Sequence, residues 1–230
     1  VGGGITWDST WESEYREVHQ KAAVLYRKQV PFQLITTGKI SQKHLLFKEE
    51  HIDRLRNAGR YFAYPFNPEN LLQRIDAECQ ACHVEKDYRL RISISKSGDI
   101  DLCCQELTPL SPAFCQAQLC LQERSLKTPF TYFKTTYRPH LTVAKQEKIY
   151  HNENGELLET SIGNLVLQIA GKLYTPPINL GILPGIYRQH LLEKGKVEEK
   201  VLTLEELAQA EAIYGCNAVR GLYKLSLKDN

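Results

Sequence analysis

Apolar and polar positions along this chain follow two rhythms, a period near 3.6 and a period of two, and the switches between them mark out its elements. The stretch WESEYREVHQKAAVL, after Asp8-Ser9-Thr10, predicts a helix, with Ser9 or Thr10 as its cap and acidic residues in its first turn. Residues 31–47 predict two strands, FQLITT and HLLF, joined around Gly38. A helix follows from about Lys48 to Tyr61 and ends before Pro65. A second helix spans about 67–82, with Asn67 as cap and Pro68 in the first turn. YRLRISIS then alternates with period two, and Ser97-Gly98-Asp99 turns the chain into IDLCCQEL. The order strand-strand-helix-helix-strand-strand makes an α+β unit, and AQLCLQE adds one more strand.

Residues 124–133, RSLKTPFTYF, read as a connector into a second unit. That unit is expected to open on a helix from about Pro139 to Ile149. Asn154-Gly155 makes a turn between strands, and LLETSIGNLVLQIAGKLYTPP holds strands broken by Gly163 and Gly171. Helices are expected over about Ile186–Lys194 and Leu204–Ala210, then a final strand pair in AIYGCNAVRGLYKLSL around Gly215 to Gly221. The expected organisation is a leading segment 1–25, a small α/β domain over 26–125 and a larger α/β domain over 126–230. No internal repeat or low-complexity segment is visible.

Composition narrows the classes of function. Apolar residues are 42% and charged residues 24% of 230, with a net charge of +2, so neither nucleic acid nor a membrane is expected as a partner. No apolar run approaches a membrane span, and VGGGITWDST has neither the basic nor the apolar region of a signal peptide. A cytoplasmic protein is therefore expected, read as a fragment or processed product because it does not begin with Met. The seven cysteines are odd in number and irregularly spaced, which favours reduced thiols over a disulfide framework. CQACH at 79–83 matches the pattern of c-type haem attachment, but it lies on the 67–82 helix. There Leu71, Leu72, Ile75, Cys79 and Cys82 share a face, so Cys79 and Cys82 read as small core residues. Gly2-Gly3-Gly4 belongs to no GxGxxG or GxxxxGK pattern, and no metal site is expected.

Three polar features stand out in the second half: a Lys in FKTTYR, an acid in LLETS and a Gly opening a helix in LPGIYRQ. Individually they read as a solvated lysine, an exposed strand residue and a turn. As an ordered set, FKTTYR, GELLETSIGNLV, KLYTPP, GILPGIYRQ and AEAIYGCNAVRGL resemble the class IV fold of pyridoxal phosphate enzymes. That group includes branched-chain aminotransferases, D-amino acid aminotransferases and aminodeoxychorismate lyases. The resemblance runs from about Phe32 to the C-terminus. It implies that Lys134 carries the cofactor through a reversible imine and that Glu159 faces the pyridine nitrogen. It further implies that the backbone at Gly185 and Ile186, the turn at Asn217 and Ala218, and Arg54 of HIDRL hold the phosphate. Arg138 is placed near the ring hydroxyl, and Arg91 and Lys96 are candidates for the substrate carboxylate. A homodimer and a small-molecule substrate are expected on the same ground.

The leading residues VGGGITWDSTWESEYREVHQKAAVL resemble the last segment of a chorismate-using synthase, in which two acids matched by Glu14 and Glu17 contribute to a magnesium site. Twenty-five residues are too few to form that site. A fusion of such a synthase with a class IV enzyme implies that the second part consumes the aminodeoxychorismate the first part makes. The expected reaction is release of p-aminobenzoate and pyruvate. A class IV aminotransferase of branched-chain or D-amino acids is the alternative, and a non-catalytic remnant that stabilises the synthase is a third reading.

Overall fold

In the computed structural model, which describes residues 7–26, 30–122, 128–142 and 146–228, the period-3.6 pattern after Thr10 forms helix α1 (Trp11–Tyr26). Thr10 caps it: its Oγ1 accepts the Ser13 N–H at 3.3 Å, and Ser13 Oγ accepts the Thr10 N–H at 3.1 Å. Two orphan donors of the first turn are thereby satisfied. Glu14 and Glu17 lie on this helix, with Glu17 paired to Lys21 one turn on. Residues 1–31 form one unit and residues 32–230 another. The glycines at 2–4 and the expected domain boundary at 125 and 126 lie outside the described residues.

The second unit begins with β1 (Leu34–Ser41) and β2 (His44–Leu45), then α2 (Lys48–Phe62) and α3 (Pro68–Ala81), then β3 (Tyr88–Ile94) and β4 (Ile100–Glu106). The strands form an antiparallel sheet in the order β2-β1-β3-β4. Alternation assigns its two faces. Leu34, Ile40, Leu90, Ile92 and Ile94 pack with Ile52 and Leu55 of α2 and Leu71, Ile75 and Cys79 of α3. Each such aliphatic side chain contributes roughly 1.5–3 kcal/mol by leaving water. Cys79 and Cys82 are buried in this core as free thiols. Asn67 caps α3, its Oδ1 accepting from the N–H groups of Glu69 and Asn70 at 2.9 and 3.3 Å.

The hairpin turn falls at Gln42-Lys43, not at Gly38. Both turn residues have positive φ, 49° and 63°, as a two-residue hairpin turn requires. Gly38 lies inside β1 because α2 crosses it closely: a Cβ there would sit 2.6 Å from His51 Nε2 and 2.7 Å from Leu45 Cδ1.

The remaining chain builds a second sheet. α4 (Pro112–Cys115) leads into β5 (Gln116–Leu121), and α5 (Pro129–Tyr132) precedes β6 (Lys148–His151). Then come β7 (Leu157–Thr160), β8 (Asn164–Ile169) and β9 (Lys172–Thr175), followed by α6 (Ile186–Glu193), β10 (Glu198–Glu199), α7 (Leu204–Gln209), β11 (Ala212–Asn217) and β12 (Gly221–Leu227). Among the described residues the expected helix from Pro139 to Ile149 is not formed. Residues 138–141 make a turn closed by the Leu141 N–H on the Arg138 carbonyl at 3.1 Å, and 148–151 form β6, which pairs in parallel with β5 and antiparallel with β7. Burial of Ile149 and Tyr150 in this sheet overrides local helical propensity.

The sheet order is β10-β9-β8-β11-β12-β5-β6-β7, and β7 pairs again with β8. Six strands thus return on themselves, and the seam is the single pairing of Glu159 with Asn164. β8 is buried on both faces, with Leu165 and Leu167 in one core and Val166 in another beside Leu191 of α6.

Candidate active site

Lys134 is held at the edge of the first sheet by its own backbone. The Ile35 N–H donates to the Lys134 carbonyl at 3.0 Å, the Thr136 N–H donates to Gln33 O at 2.9 Å, and Leu34 bridges Thr135. The odd-numbered face of that sheet, with Ile35, Thr37, Arg89 and Arg91, therefore meets Lys134 across a cavity of about 550 Å³. Burial and the charges of Arg54, Arg138 and Arg91 hold the lysine amine well below its ordinary value. A neutral amine is the form that can act as nucleophile or base.

Glu159 reaches the same cavity from the seam of the second sheet. All four residues of β7 are buried, and Leu157 and Leu158 anchor it in two different cores. Burial pushes the Glu159 carboxyl up to about 7, opposed by Arg138, the Leu183 N–H and Lys134. His140 Nε2 lies 4.0 Å from its Oε1. Burial and Arg138 hold the imidazole down at about 4, so it is neutral near pH 7.

The third wall is the N-terminus of α6. Gly185 is its N-cap and offers no side chain to the first-turn N–H groups, which remain available to an anion. Asn164 shapes the approach, donating from Nδ2 to Leu183 O at 2.8 Å. A Cβ on Gly185 would lie 1.9 Å from Asn164 Oδ1, so only glycine leaves the turn this close. Arg54 joins from α2 through a 2.5 Å bond to Pro184 O. Opposite, Asn217 organises the β11–β12 turn, its Oδ1 accepting the N–H groups of Val219 and Arg220 at 3.0 and 2.8 Å.

Lys134, Glu159, Arg54, Arg138, Gly185, Ile186, Asn217, Ala218 and Arg91 all line this one cavity, although they lie as far apart in sequence as Arg54 and Ala218. Lys96 does not. Its ammonium donates to Phe62 O and Ala63 O at 2.8 and 3.0 Å and sits over the Tyr64 ring, where it caps the C-terminus of α2.

Four contributors escaped the sequence reading: Asn164, Arg89, Arg220 and Glu147. The polar Asn164 inside the apolar run NLVL was the one visible signal. Glu147 is fully buried. It accepts the Ser161 N–H at 2.8 Å and the Tyr223 hydroxyl at 2.9 Å, and so supports the Ser161–Gly163 turn from behind.

Residues 33–226 match the family described as amino-transferase class IV. The chain belongs to this family. Among curated relatives, a Schizosaccharomyces pombe protein named "Putative aminodeoxychorismate lyase" is 25% identical over 194 residues, which is 78% of this chain and 83% of that protein. An uncharacterized Haemophilus influenzae protein is 37% identical over 70 residues, but that match spans 30% of this chain and 36% of the relative. A Mesorhizobium loti structure described as a "Putative amino-acid aminotransferase" superposes with TM-score 0.74 at 25% identity, over 86% of this chain and all of that one. A Haemophilus somnus structure described as "a putative 4-amino-4-deoxychorismate lyase" superposes with TM-score 0.66 at 25% identity, over 85% and 100%.

Enzymes of the class IV family depend on pyridoxal phosphate, and this cavity fits that group on its own features. An uncapped helix start that a Cβ would close suits the phosphate. A neutralised lysine suits an aldehyde, and a buried carboxyl suits a pyridine nitrogen. Among the described residues no helix is long and apolar enough to cross a membrane.

Proposed function

We propose that this class IV enzyme is an aminodeoxychorismate lyase that releases p-aminobenzoate and pyruvate with pyridoxal phosphate at Lys134. One observation carries the choice of substrate. Arg54, Arg89, Arg91, Arg138 and Arg220 line the cavity, and among the described residues that line it Glu159 is the one acid. The cofactor phosphate accounts for part of that positive charge. The remainder suits a substrate with two carboxylates better than an amino acid with an aliphatic side chain. The resemblance of residues 1–25 to the end of a synthase and the name of the S. pombe relative point the same way.

Pyridoxal phosphate, when bound, supplies an electron sink for charge left on the substrate carbon that bears nitrogen. The α6 N-terminus at Gly185 and Ile186, the Asn217-Ala218 turn and Arg54 bind its phosphate. Glu159 keeps a proton at the pyridine nitrogen. Lys134, freed as an amine, takes the proton from the carbon bearing nitrogen and returns it to the departing enolpyruvyl group. The charge of Arg138 adds to the burial that lowers the Lys134 amine and opposes the burial that raises the Glu159 carboxyl. Substrate nitrogen stays on the aromatic product, so no second substrate is needed.

The class IV resemblance also implies a homodimer, for which light scattering should give twice the mass of the chain. The decisive assay supplies aminodeoxychorismate and no keto acid. Equal amounts of p-aminobenzoate and pyruvate over many turnovers are expected. Exchange of amino groups between leucine or D-alanine and 2-oxoglutarate, with aminodeoxychorismate left intact, would replace this reading by the aminotransferase.

A further inference from the structure

We infer that Arg89 and Arg220 together form a subsite for the substrate's ring carboxylate, at the end of the cavity away from the reacting amine; the inference rests on the lyase reading above. Arg89 stands on β3, two residues before Arg91 and on the same sheet face. Arg220 stands in the β11–β12 turn, on the second sheet. Both line the cavity. Burial first, and then the charge of Arg89, lower the pKa of Arg220, so the two guanidinium groups stand within each other's field.

Arg89 is exposed and Arg220 half-buried, so water screens their mutual repulsion in the free protein, and a bound anion would take over that role. Neither guanidinium has a carboxylate partner among the described residues. Arg89 donates to Gln105 Oε1 at 3.0 Å, and Arg220 donates to the Thr108 carbonyl. Both acceptors are neutral. They fix the direction of each guanidinium without cancelling its charge. Two guanidinium forks brought to one cavity from different sheets, neither paired with a carboxylate among the described residues, fit a carboxylate, which has two oxygens to receive them. Arg91 is a different case. Its charge is among those that lower the Lys134 amine, after burial, Arg54 and Arg138, whereas that of Arg89 is not.

The substrate's chemistry supplies the matching group. In aminodeoxychorismate the ring carboxylate lies across the ring from the amine, and it remains on p-aminobenzoate. With the nitrogen at Lys134, that carboxylate points toward the far end of the cavity. A substrate without it would leave the arginine pair unmatched, so the pair acts as a specificity element.

The test uses the cofactor-loaded protein and two probes, p-aminobenzoate and its neutral analogue 4-aminobenzamide, with dissociation constants from calorimetric titration. Wild type should bind the carboxylate at least about tenfold more tightly than the amide, as a charged hydrogen-bonding pair allows. Arg89→Gln and Arg220→Gln should each lose most of that preference, the double variant all of it, and Arg89→Lys should retain part. For aminodeoxychorismate, KM should rise at least about tenfold in Arg89→Gln, with kcat within about threefold of wild type. Because Arg220→Gln also loses the Thr108 tether, Arg89→Gln decides the matter if the former melts early. A wild type that does not prefer the carboxylate, or an Arg89→Gln variant that keeps the full preference, overturns the subsite. The lyase reading stands or falls separately. Preference without p-aminobenzoate production leaves the subsite and removes the reaction, whereas production with an unchanged preference in the variants leaves the reaction and removes the subsite.

Discussion

Replacing Gly185 by alanine should damage cofactor binding far more than it damages folding. The added Cβ would lie 1.9 Å from Asn164 Oδ1, 3.1 Å from Asn164 Cγ and 3.4 Å from Arg188 Cβ. Asn164 cannot easily yield, since it is only 3% exposed and its Nδ2 holds Leu183 O at 2.8 Å. If Asn164 turns away, a buried carbonyl loses its donor, at about 1–3 kcal/mol. If it stays, overpacking costs about 1–3 kcal/mol through displacement of the turn. Either route moves the 183–186 backbone, which is the proposed phosphate seat. A loss of about 3 kcal/mol in the seated state corresponds to roughly a hundredfold weaker binding. Titration with pyridoxal phosphate, followed by absorbance, gives the dissociation constant, and a melt of the cofactor-free protein gives the stability change. Pairing Gly185→Ala with Asn164→Ala removes the clashing oxygen, so the double variant should lose less than the sum of the singles. A Gly185→Ala protein that binds the cofactor within about threefold of wild type would refute the argument.

Glu159→Gln should keep the cofactor but lose at least about a hundredfold in kcat, because an amide cannot hold the pyridine nitrogen protonated; near-normal turnover would remove the residue from that role. In the cofactor-free protein the folded Glu159 carboxyl, raised to about 7, binds a proton that the unfolded chain releases above about 4.5. Stability from this group is therefore full below about pH 4.5 and lost as pH rises to 7, by on the order of 3 kcal/mol. The difference in urea-unfolding free energy between wild type and Glu159→Gln should slope across that window. His140 should act with the opposite sign: its folded value of about 4 lies below the unfolded 6.5, so its contribution is present above pH 6.5 and lost as pH falls toward 4. A His140→Asn variant should be less acid-labile than wild type over that interval, and an unchanged profile would count against a buried neutral imidazole. Asn67→Ala removes the acceptor for two N–H groups of α3 and should lower stability by about 1 kcal/mol with no change in cofactor affinity.

The sequence reading succeeded where one local signal agreed with the tertiary arrangement. The Asn67-Pro68 start of α3, the alternation in β3 and the Asn154-Gly155 turn all formed as expected. It failed where packing overruled the local signal. Gly38 resembled a turn residue but is glycine because His51 crosses the strand. The segment before Ile149 suggested a helix, but Ile149 and Tyr150 are claimed by strands distant in sequence. At the site, Lys134, Glu159 and Gly185 were named through the family resemblance, and the fold brings the three to one cavity. Arg89 and Arg220 were out of reach, since only the approach of the two sheets brings them to one cavity. Lys96 lies away from this cavity, at the end of α2; in sequence an exposed lysine after a strand looks the same whether it meets substrate or caps a distant helix.

The central claim is that this cavity carries pyridoxal phosphate on Lys134. Borohydride reduction of the cofactor-loaded protein, followed by proteolysis and mass mapping, tests it most directly. The account predicts a single pyridoxyl-modified peptide, the one containing Phe133-Lys134-Thr135, and loss of that label in Lys134→Ala. A stable label on any other lysine, or none on a protein shown by absorbance to hold the cofactor, would contradict it.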